Sequence, residues 1–162
     1  MTGEQLNADI TTYHNMVYRL AFGCMGNHFD ADDVTQDVFI RLYRYKKAFT
    51  DDTHKKAFLI RVTVNICKDI RKSAWFRSRA EMDDNIPAAE SISEDESQLC
   101  EYIRSLKPNY RAVVFLHYYD GYTTAEIAKI LRIPESTVTT RLSRARTNLK
   151  TQLISNKEVY CS

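Results

Sequence analysis

The sequence predicts an all-α protein built from two small helical domains that are joined by an acidic, flexible linker. The first observation is that apolar residues recur in steps of three and four along most of its 162 residues, which is the spacing of amphipathic helices. The second is that no stretch alternates in the manner of a strand, and no internal repeat or heptad run is visible. The third is an acidic stretch between two basic ones, which separates the two helical parts.

The charged residues fall into four blocks that the net charge of +2 does not reveal. Residues 1–40 contain six acids and one arginine, and residues 41–79 contain twelve basic and three acidic groups. Residues 81–101 contain eight acids and no base, and residues 104–150 contain nine basic and three acidic groups. Two basic blocks around an acidic one indicate two surfaces that bind polyanions and a spacer that avoids them.

The first predicted domain covers residues 1–77 and begins with two helices. Apolar residues at helical spacing predict a first helix of about five turns, closed by Gly26 and Asn27: Leu6, Ile10, Tyr13, Val17, Leu20 and Cys24. Asp30 is expected to cap the second helix, with Asp32 and Asp33 in its first turn, where the helix dipole favours negative charge. The predicted inner face of this helix is Val34, Val38, Leu42 and Tyr45.

A third helix is expected from about Lys55 to about Ser73, after a loop at residues 47–54. Its predicted inner face is Phe58, Leu59, Val62, Ile66 and Ile70. Its predicted outer face is Arg61, Asn65, Lys68 and Lys72. The outer face is therefore cationic.

Residues 78–98 are predicted to be the acidic linker, with little structure of their own, because they contain Pro87 and few large apolar groups. The second domain is placed at residues 99–155, followed by a tail at 156–162. A helix is expected to start at Leu106-Lys107-Pro108 and to run through Tyr119. Asp120-Gly121 ends it, since glycine adopts the left-handed conformation at little cost.

Residues 122–149 predict two short helices joined by a tight turn. Thr123 and Glu126 have capping-box spacing at the start of the first helix. Arg132-Ile133-Pro134 interrupts the helical pattern, because proline cannot continue a helix. The second helix has a buried stripe of Val138, Leu142, Ala145 and Leu149, and its outer face carries Thr139, Thr140, Ser143, Arg144 and Thr147. Small polar groups and guanidinium groups on one face are typical of a helix-turn-helix that enters the major groove of DNA; an ordinary helical hairpin with a solvated face is the alternative.

Catalytic chemistry and metal or cofactor binding have no support in the sequence, so a non-enzyme without a cofactor is expected. Cysteines and histidines are scattered without metal-ligand spacing. No Gly-rich phosphate loop and no pairing of a nucleophile with a base can be argued. Three of the four cysteines lie on helical patterns and are expected to be small core residues in a reducing cytoplasm. The four are Cys24, Cys67, Cys100 and Cys161. Neither a signal peptide nor a membrane span is visible.

Three segments, taken in order, resemble a bacterial RNA polymerase sigma factor of the extracytoplasmic-function (ECF) class. They are DADDVTQDVFIRLYRY at 30–45, AFLIRVTVNICKDIRKSAWF at 57–76, and the stretch 106–149 beyond the acidic spacer. A lone helix-turn-helix would be a weak signal, whereas different motif blocks in this order are a specific one. The resemblance implies sigma domain two at residues 1–77 and sigma domain four at residues 99–155.

The resemblance implies a core-polymerase surface on the second helix, facing the clamp helices of the β′ subunit: Asp32, Asp33, Gln36, Asp37 and Arg41. An acidic and amide face suits a basic partner, because complementary charge directs docking. From the residues alone, the alternative is a solvated helix face stabilised by its N-terminal acids. The helix at 106–119 resembles the part that docks on the β-subunit flap, with domain core as the alternative for its apolar residues.

The resemblance places recognition and opening of the −10 promoter element on the loop from Phe49 and on the third helix. Phe49, Phe58 and Asn65 would surround a base flipped from the non-template strand, since such a pocket needs an apolar wall and an amide. The family commonly has tryptophan where this chain has Phe58, and plain core is the alternative for this residue. The groups expected to neutralise phosphates are Lys55, Lys56, Arg61, Lys68, Arg71 and Lys72.

The resemblance places recognition of the −35 element on the helix-turn-helix. The expected groove-facing residues are Thr139, Thr140, Arg141, Ser143 and Arg144, with Thr137 near a phosphate. The family often has glycine at position 136 and a cation at position 139, where this chain has Ser136 and Thr139. Loss of that cation removes a guanine or phosphate contact, so an unusual −35 sequence is expected.

The implied partners are core RNA polymerase, promoter DNA and an anti-sigma factor that is often membrane-bound in this family. The protein itself is expected to be cytoplasmic, without direct membrane insertion. The rival interpretation is a helix-turn-helix regulator that binds duplex DNA without polymerase, with an effector or dimerisation domain in residues 1–79. Tight binding of purified protein to an operator-like duplex would favour this rival.

Overall fold

A computed structural model of the chain describes residues 1–80 and 105–160, and helices are the regular structure in both ranges. Contacts between residues divide the chain into two units, with the division between residues 91 and 92. The predicted all-α fold is confirmed for the described residues. Most of the predicted acidic linker, residues 81–98, lies outside the described ranges.

Residues 1–80, the described part of the first unit, contain three mutually packed helices: α1 (Gly3–Met25), α2 (His28–Arg44) and α3 (Asp52–Ala80). A capping box between Thr2 and Gln5 starts α1, and Gly26 ends it with a left-handed φ of 81°. All of the predicted inner residues of the three helices are buried or half-buried. The most deeply buried large side chains of this core are Val17, Leu20, Val34, Val38, Leu42, Leu59 and Ile60.

The start of α2 differs from the sequence-based prediction. Asn27, not Asp30, is the N-cap residue, because its side-chain oxygen accepts the backbone N–H of Asp30 at 2.8 Å. Its amide nitrogen also donates to the Asp30 carboxylate at 2.8 Å. Asp30 therefore lies in the first turn, and Asp32 and Asp33 lie one turn further along the helix than expected.

The start and end of α3 also differ from the prediction. The side chain of Asp51 accepts the backbone N–H of His54 at 2.7 Å, so the helix begins at Asp52 and includes part of the predicted loop. At its other end α3 continues to Ala80, beyond the expected end near Ser73. The loop between α2 and α3 is thereby shortened to residues 45–51.

Arg71 connects α3 to the C-terminal end of α1. Its Nε donates to the carbonyl oxygen of Cys24 at 3.0 Å, and its Nη2 donates to that of Met25 at 3.3 Å. The last carbonyls of a helix have no partner within the helix, so these two bonds satisfy groups that would otherwise be orphaned. Burial lowers the pKa of Arg71. The guanidinium is thus occupied inside the domain, in contrast to its expected role as a phosphate ligand.

Arg71→Met is expected to lower the free energy of unfolding of the first unit by ~1–2 kcal/mol, because two hydrogen bonds from a charged donor are lost while the side-chain stem stays packed. Urea denaturation followed by tryptophan fluorescence measures this, since the chain's single tryptophan lies in α3. Arg19→Met, at an exposed position of α1, is the matched control. An equal midpoint for the two variants would contradict the structural role.

The second unit contains three helices in its described part: α4 (Pro108–Tyr118), α5 (Thr124–Leu131) and α6 (Glu135–Tyr160). The predicted capping box of Thr123 and Glu126 is present at the start of α5. Arg132 ends α5 in the left-handed conformation, with φ 57°, and α6 begins after Pro134, so the predicted interruption is confirmed. The most buried side chains are Leu106, Val113, Leu116, Ile127, Val138, Leu142 and Ala145.

One feature of this unit bears on an alternative that the sequence left open, and another differs from the prediction. Four successive apolar residues of α4 are buried, which is the core alternative for this helix: Val113, Val114, Phe115 and Leu116. Tyr118 and Tyr119 at its end are instead more than half exposed. Helix α6 runs to Tyr160 and so includes residues 156–160 of the expected tail.

Candidate nucleic-acid and protein interfaces

The outward face of α2 combines carboxylates with exposed apolar side chains. All five residues expected to bind polymerase are exposed there: Asp32, Asp33, Gln36, Asp37 and Arg41. Sequence reasoning missed three large apolar neighbours on this face, Phe29, Ile40 and Tyr43, which are 78%, 47% and 53% exposed. Helical periodicity could have identified them, because these three positions fall on the side of the helix opposite the buried Val34, Val38 and Leu42. Exposed apolar groups among charges are typical of a protein-binding surface.

Aromatic side chains cluster around the loop at residues 45–51. Phe49 is half-buried, and its ring centroid lies 5.1 Å from that of Tyr45, 5.3 Å from Phe58 and 5.3 Å from His54. Phe58 is 9% exposed, and its ring centroid lies 4.5 Å from that of Tyr45. Phe58 therefore supports Phe49 from inside the domain, and Phe49 is the more accessible ring of the two.

The loop also borders a recess of about 480 Å³. Its lining includes Tyr45, Lys46, Lys47 and Phe49 of the loop together with Gln5 and Asp9 of α1. Lys55 contributes its ammonium group, which forms an ion pair with Asp9 at 3.1 Å and lies 5.5 Å from the centre of the Phe49 ring. No local sequence pattern indicates that α1 takes part in this recess, since Asp9 and Lys55 are 46 residues apart.

The cationic face of α3 is present as expected, with Arg71 as the exception. Asn65, Lys68 and Lys72 are exposed, and Arg61 is half-buried. These four residues are spaced by three or four, so they lie along one side of the helix. Lys56 stands near the helix start and pairs with Asp52 at 3.2 Å, four residues earlier.

The expected −35 residues form one face of α6 together with part of α4. Thr139, Thr140, Ser143 and Arg144 are exposed, and Thr137 and Arg141 are half-buried. A recess of about 310 Å³ lies between α6 and α4. Its lining residues are Ser136, Thr137, Thr140, Arg141 and Arg144 of α6 and Asn109 and Tyr110 of α4. A hydrogen bond from the Arg144 side chain lowers the pKa of the Tyr110 hydroxyl, with a smaller effect of nearby Lys107 and Arg141. Sequence reasoning missed Asn109 and Tyr110 because they come from a different helix.

Within residues 1–80 and 105–160, the His, Cys, Asp and Glu side chains nowhere form a group of three or more that could hold a metal ion. Over the same residues, none of the helices combines the length and the apolar character needed to cross a membrane.

Comparison with known proteins matches both units to one family. The family model for region 2 of sigma-70 matches residues 10–77, and that for region 4 matches residues 97–149. The ECF RNA polymerase sigma factor SigW of Bacillus subtilis is 31% identical over 164 residues, which cover 90% of this chain and 88% of SigW. The chain belongs to the ECF sigma factor family.

Other ECF sigma factors show the same relationship. SigM of Mycobacterium tuberculosis is 30% identical over 139 residues, covering 85% of this chain and 71% of SigM. SigE of Mycolicibacterium smegmatis is 33% identical over 154 residues, covering 89% of this chain. The chain spans 60% of the length of that SigE.

Two solved structures share the fold. The sigma factor RpoE of Bartonella quintana, in complex with the anti-sigma factor NepR, superposes with a TM-score of 0.70 at 20% identity, covering 93% of this chain and 97% of RpoE. CnrH, in complex with the cytosolic domain of CnrY, superposes with a TM-score of 0.68 at 18% identity, covering 95% of this chain and 90% of CnrH. In this ECF sigma factor, region 2 contains α1–α3 and region 4 contains α4–α6.

Proposed function

We propose that this ECF sigma factor binds core RNA polymerase and directs it to promoters by recognising their −10 and −35 elements. The observation that carries the proposal is the match of both sigma-70 regions, in order, to the two helical units. Each unit presents a cationic helix face to solvent: that of α3 in region 2 and that of α6 in region 4. The protein supplies promoter recognition and strand opening, and the polymerase forms the RNA bonds.

The outward face of α2 is proposed to dock on the β′ clamp helices. It joins two chemical features of a docking surface, namely carboxylates and exposed apolar side chains. The carboxylates of Asp32, Asp33 and Asp37 would meet a basic partner and steer its approach. Burial of Phe29, Ile40 and Tyr43 against the partner would then add hydrophobic stabilisation that a solvated helix face does not require.

The loop at residues 45–51 and the outer face of α3 are proposed to open and read the −10 element. Phe49 is the half-buried ring on which an unstacked base can pack, and Asn65 is an exposed amide able to bond a base edge. Phe58 has a supporting role beneath Phe49. Phosphate neutralisation is assigned to Lys56, Arg61, Lys68 and Lys72. Arg71 and Lys55 are held inside the domain instead, by the carbonyls of α1 and by Asp9 respectively.

The exposed face of α6 is proposed to read the −35 element in the major groove. Arg144 is the principal base-reading group, because its side chain is exposed on this face and lines the recess there together with Thr140 and Arg141. Thr140 and Ser143 flank it on the same face, and Thr137 with the N-terminal turn of α6 suits a phosphate. The remaining groove-facing residues are Thr139 and Arg141.

Regulation by an anti-sigma factor is proposed as well, with the protein acting in the cytoplasm. RpoE of Bartonella quintana was solved in complex with an anti-sigma factor, NepR, and CnrH was solved in complex with the cytosolic domain of CnrY. An inhibitor of this kind would cover the polymerase-facing surface of α2, whose exposed apolar residues need a partner when the polymerase is absent.

Run-off transcription with purified core polymerase and a pool of genomic fragments tests the function. The protein together with core is expected to give discrete transcripts that core alone does not give. Gel shifts with and without core distinguish the rival regulator. Tight, sequence-specific duplex binding by the protein alone, with no transcript from the mixture, would overturn the proposal.

A further inference from the structure

We propose that Asp9 and Tyr13 of α1 are positioning residues that hold the −10 loop, residues 45–51, in the shape that selects its base. This inference rests on the proposed role of that loop in −10 recognition. It assigns a part in promoter choice to a helix that carries none of the expected DNA-binding residues.

The first contact runs from Asp9 through Lys55 to Phe49. Both carboxylate oxygens of Asp9 accept hydrogen bonds from the Lys55 ammonium group at 3.1 Å. The side chains of this pair are only 13% and 24% exposed, so water screens them less than a surface pair. The same ammonium lies 5.5 Å from the centre of the Phe49 ring, a cation–π distance. Asp9 thereby fixes the cation against which the accessible aromatic ring of the loop rests.

The second contact lies one helical turn further along α1. The Tyr13 hydroxyl donates to the carboxylate of Asp52, the first residue of α3, and the other carboxylate oxygen of Asp52 pairs with Lys56 at 3.2 Å. Tyr13 is 6% exposed, so its ring is fixed by the core. Burial together with the Asp52 carboxylate raises the pKa of Tyr13 to about 12, and the Tyr13 hydrogen bond, with a further contribution from Lys56, lowers that of Asp52.

These contacts fix the loop at the point where its own hydrogen bonding is sparse. Hydrogen bonds hold the C-terminal end of the loop: the Asp51 side chain caps α3, the Asp51 carbonyl oxygen accepts the N–H of Lys55, and the backbone and side chain of Thr50 bond the His54 ring. At its other end, the N–H of Tyr45 donates to Leu42 and closes α2. Between these ends, Phe49 is held through its ring contacts and through Lys55. A site distinguishes similar bases only if its walls are held by a second layer of contacts, and α1 supplies that layer.

The acidic character of Asp9 itself argues for positioning rather than DNA contact. Asp9 lines the 480 Å³ recess together with Lys46 and Lys47, and an unpaired carboxylate there would repel a phosphate. Its pairing with Lys55 offsets this charge. By electrostatics alone, removal of the carboxylate charge would strengthen the attraction of DNA phosphates. The expected effect is instead that Lys55 and Phe49 are released and the pocket becomes less selective.

The test uses the full-length protein with core polymerase and the variants Asp9→Asn and Tyr13→Phe, each nearly the size of the original side chain. Glu4→Gln is the matched control, because it converts a carboxylate to an amide at an exposed site on the same helix. Transcription is measured on promoters that share one −35 element and differ at single −10 positions. Core binding and thermal unfolding are measured in parallel.

Asp9→Asn is expected to reduce the preference for the matched −10 base about tenfold, since a displacement on the order of 1 Å can cost about 100-fold in a positioned site. Tyr13→Phe should act in the same direction, and Glu4→Gln should retain the wild-type preference. A second readout is a template already opened over the −10 region, on which both variants should regain most of their activity while core binding stays unchanged.

Two outcomes would overturn the inference. One is an unchanged −10 preference in both variants. The other is an equal loss of transcription at every promoter and on the opened template, which would indicate a purely structural role. The conservative variant Tyr13→Phe tests this even if Asp9→Asn is unstable. If the wild-type protein itself lacks any −10 preference, the proposed function of the loop fails instead. The two failures are thus distinguishable.

Discussion

Asp33→Arg combined with Gln36→Ala is expected to weaken binding to core RNA polymerase by about 100-fold or more, because like charges brought together in an interface cost several kcal/mol. Both positions are exposed on α2, one turn apart, so the helix should form normally. The replaced groups lie between the exposed Phe29 and Ile40, at the centre of the proposed surface. Native gel assembly or biolayer interferometry with purified core measures the loss, and circular dichroism verifies the fold.

The matched control is Glu4→Arg combined with Asn15→Ala, which makes the same chemical changes at exposed positions of α1. It should bind core as the wild type does. Equal loss in the two double variants would mean that net charge, and not the α2 face, governs assembly. Normal holoenzyme formation by Asp33→Arg with Gln36→Ala would remove α2 from the polymerase interface.

Periodicity predicted the helices well, because their burial follows a local rule that the sequence displays directly. Val17 and Leu20 of α1, or Val138 and Leu142 of α6, fall on a stripe that only a helix can bury. Helix starts were less predictable, since Asn and Asp side chains compete for the capping position. Asn27 and Asp30 are both able to cap, and the turn at Gly26, which ends α1, brings Asn27 into position first.

The candidate sites could be predicted only in part, because their contacts join distant parts of the chain. The exposed lysines of α3 and the polar face of α6 follow from helical phase alone. The pairing of Lys55 with Asp9 and the bonds from Arg71 to α1 span 46 or 47 residues, and no local pattern encodes them. The family resemblance supplied roles for Phe49 and Asn65 that composition could not give.

The two long-range contacts also have different consequences for the basic residues of α3 that make them. Arg71 is directed inward to the carbonyls of α1, so it stabilises the fold and is removed from the DNA-binding set. Lys55 is directed toward Asp9 and Phe49, so it stays beside the proposed base pocket. A count of positive charges in the sequence treats the two residues alike. Their hydrogen-bond and ion-pair partners show that Arg71 contributes to stability and that Lys55 contributes to the proposed recognition site.

Arg144→Ala is expected to weaken −35 recognition by ~1–3 kcal/mol, equivalent to roughly 5- to 150-fold, while core binding is unchanged. Its side chain is exposed on the proposed reading face, where a guanidinium can donate two hydrogen bonds to a guanine. Run-off transcription by the reconstituted holoenzyme on promoters with and without the −35 element measures the effect. The loss should appear only when the element is present.

Arg146→Ala is the matched control, because it removes the same charge from the same helix. Arg146 donates to the Tyr118 hydroxyl and lies against that ring, on the side of α6 away from Arg144. Its loss should affect −35 and non-−35 promoters equally, since a phosphate or structural contact carries no base information. An equal, promoter-independent effect of Arg144→Ala would show that Arg144 neutralises phosphate and that another residue on α6 reads the bases.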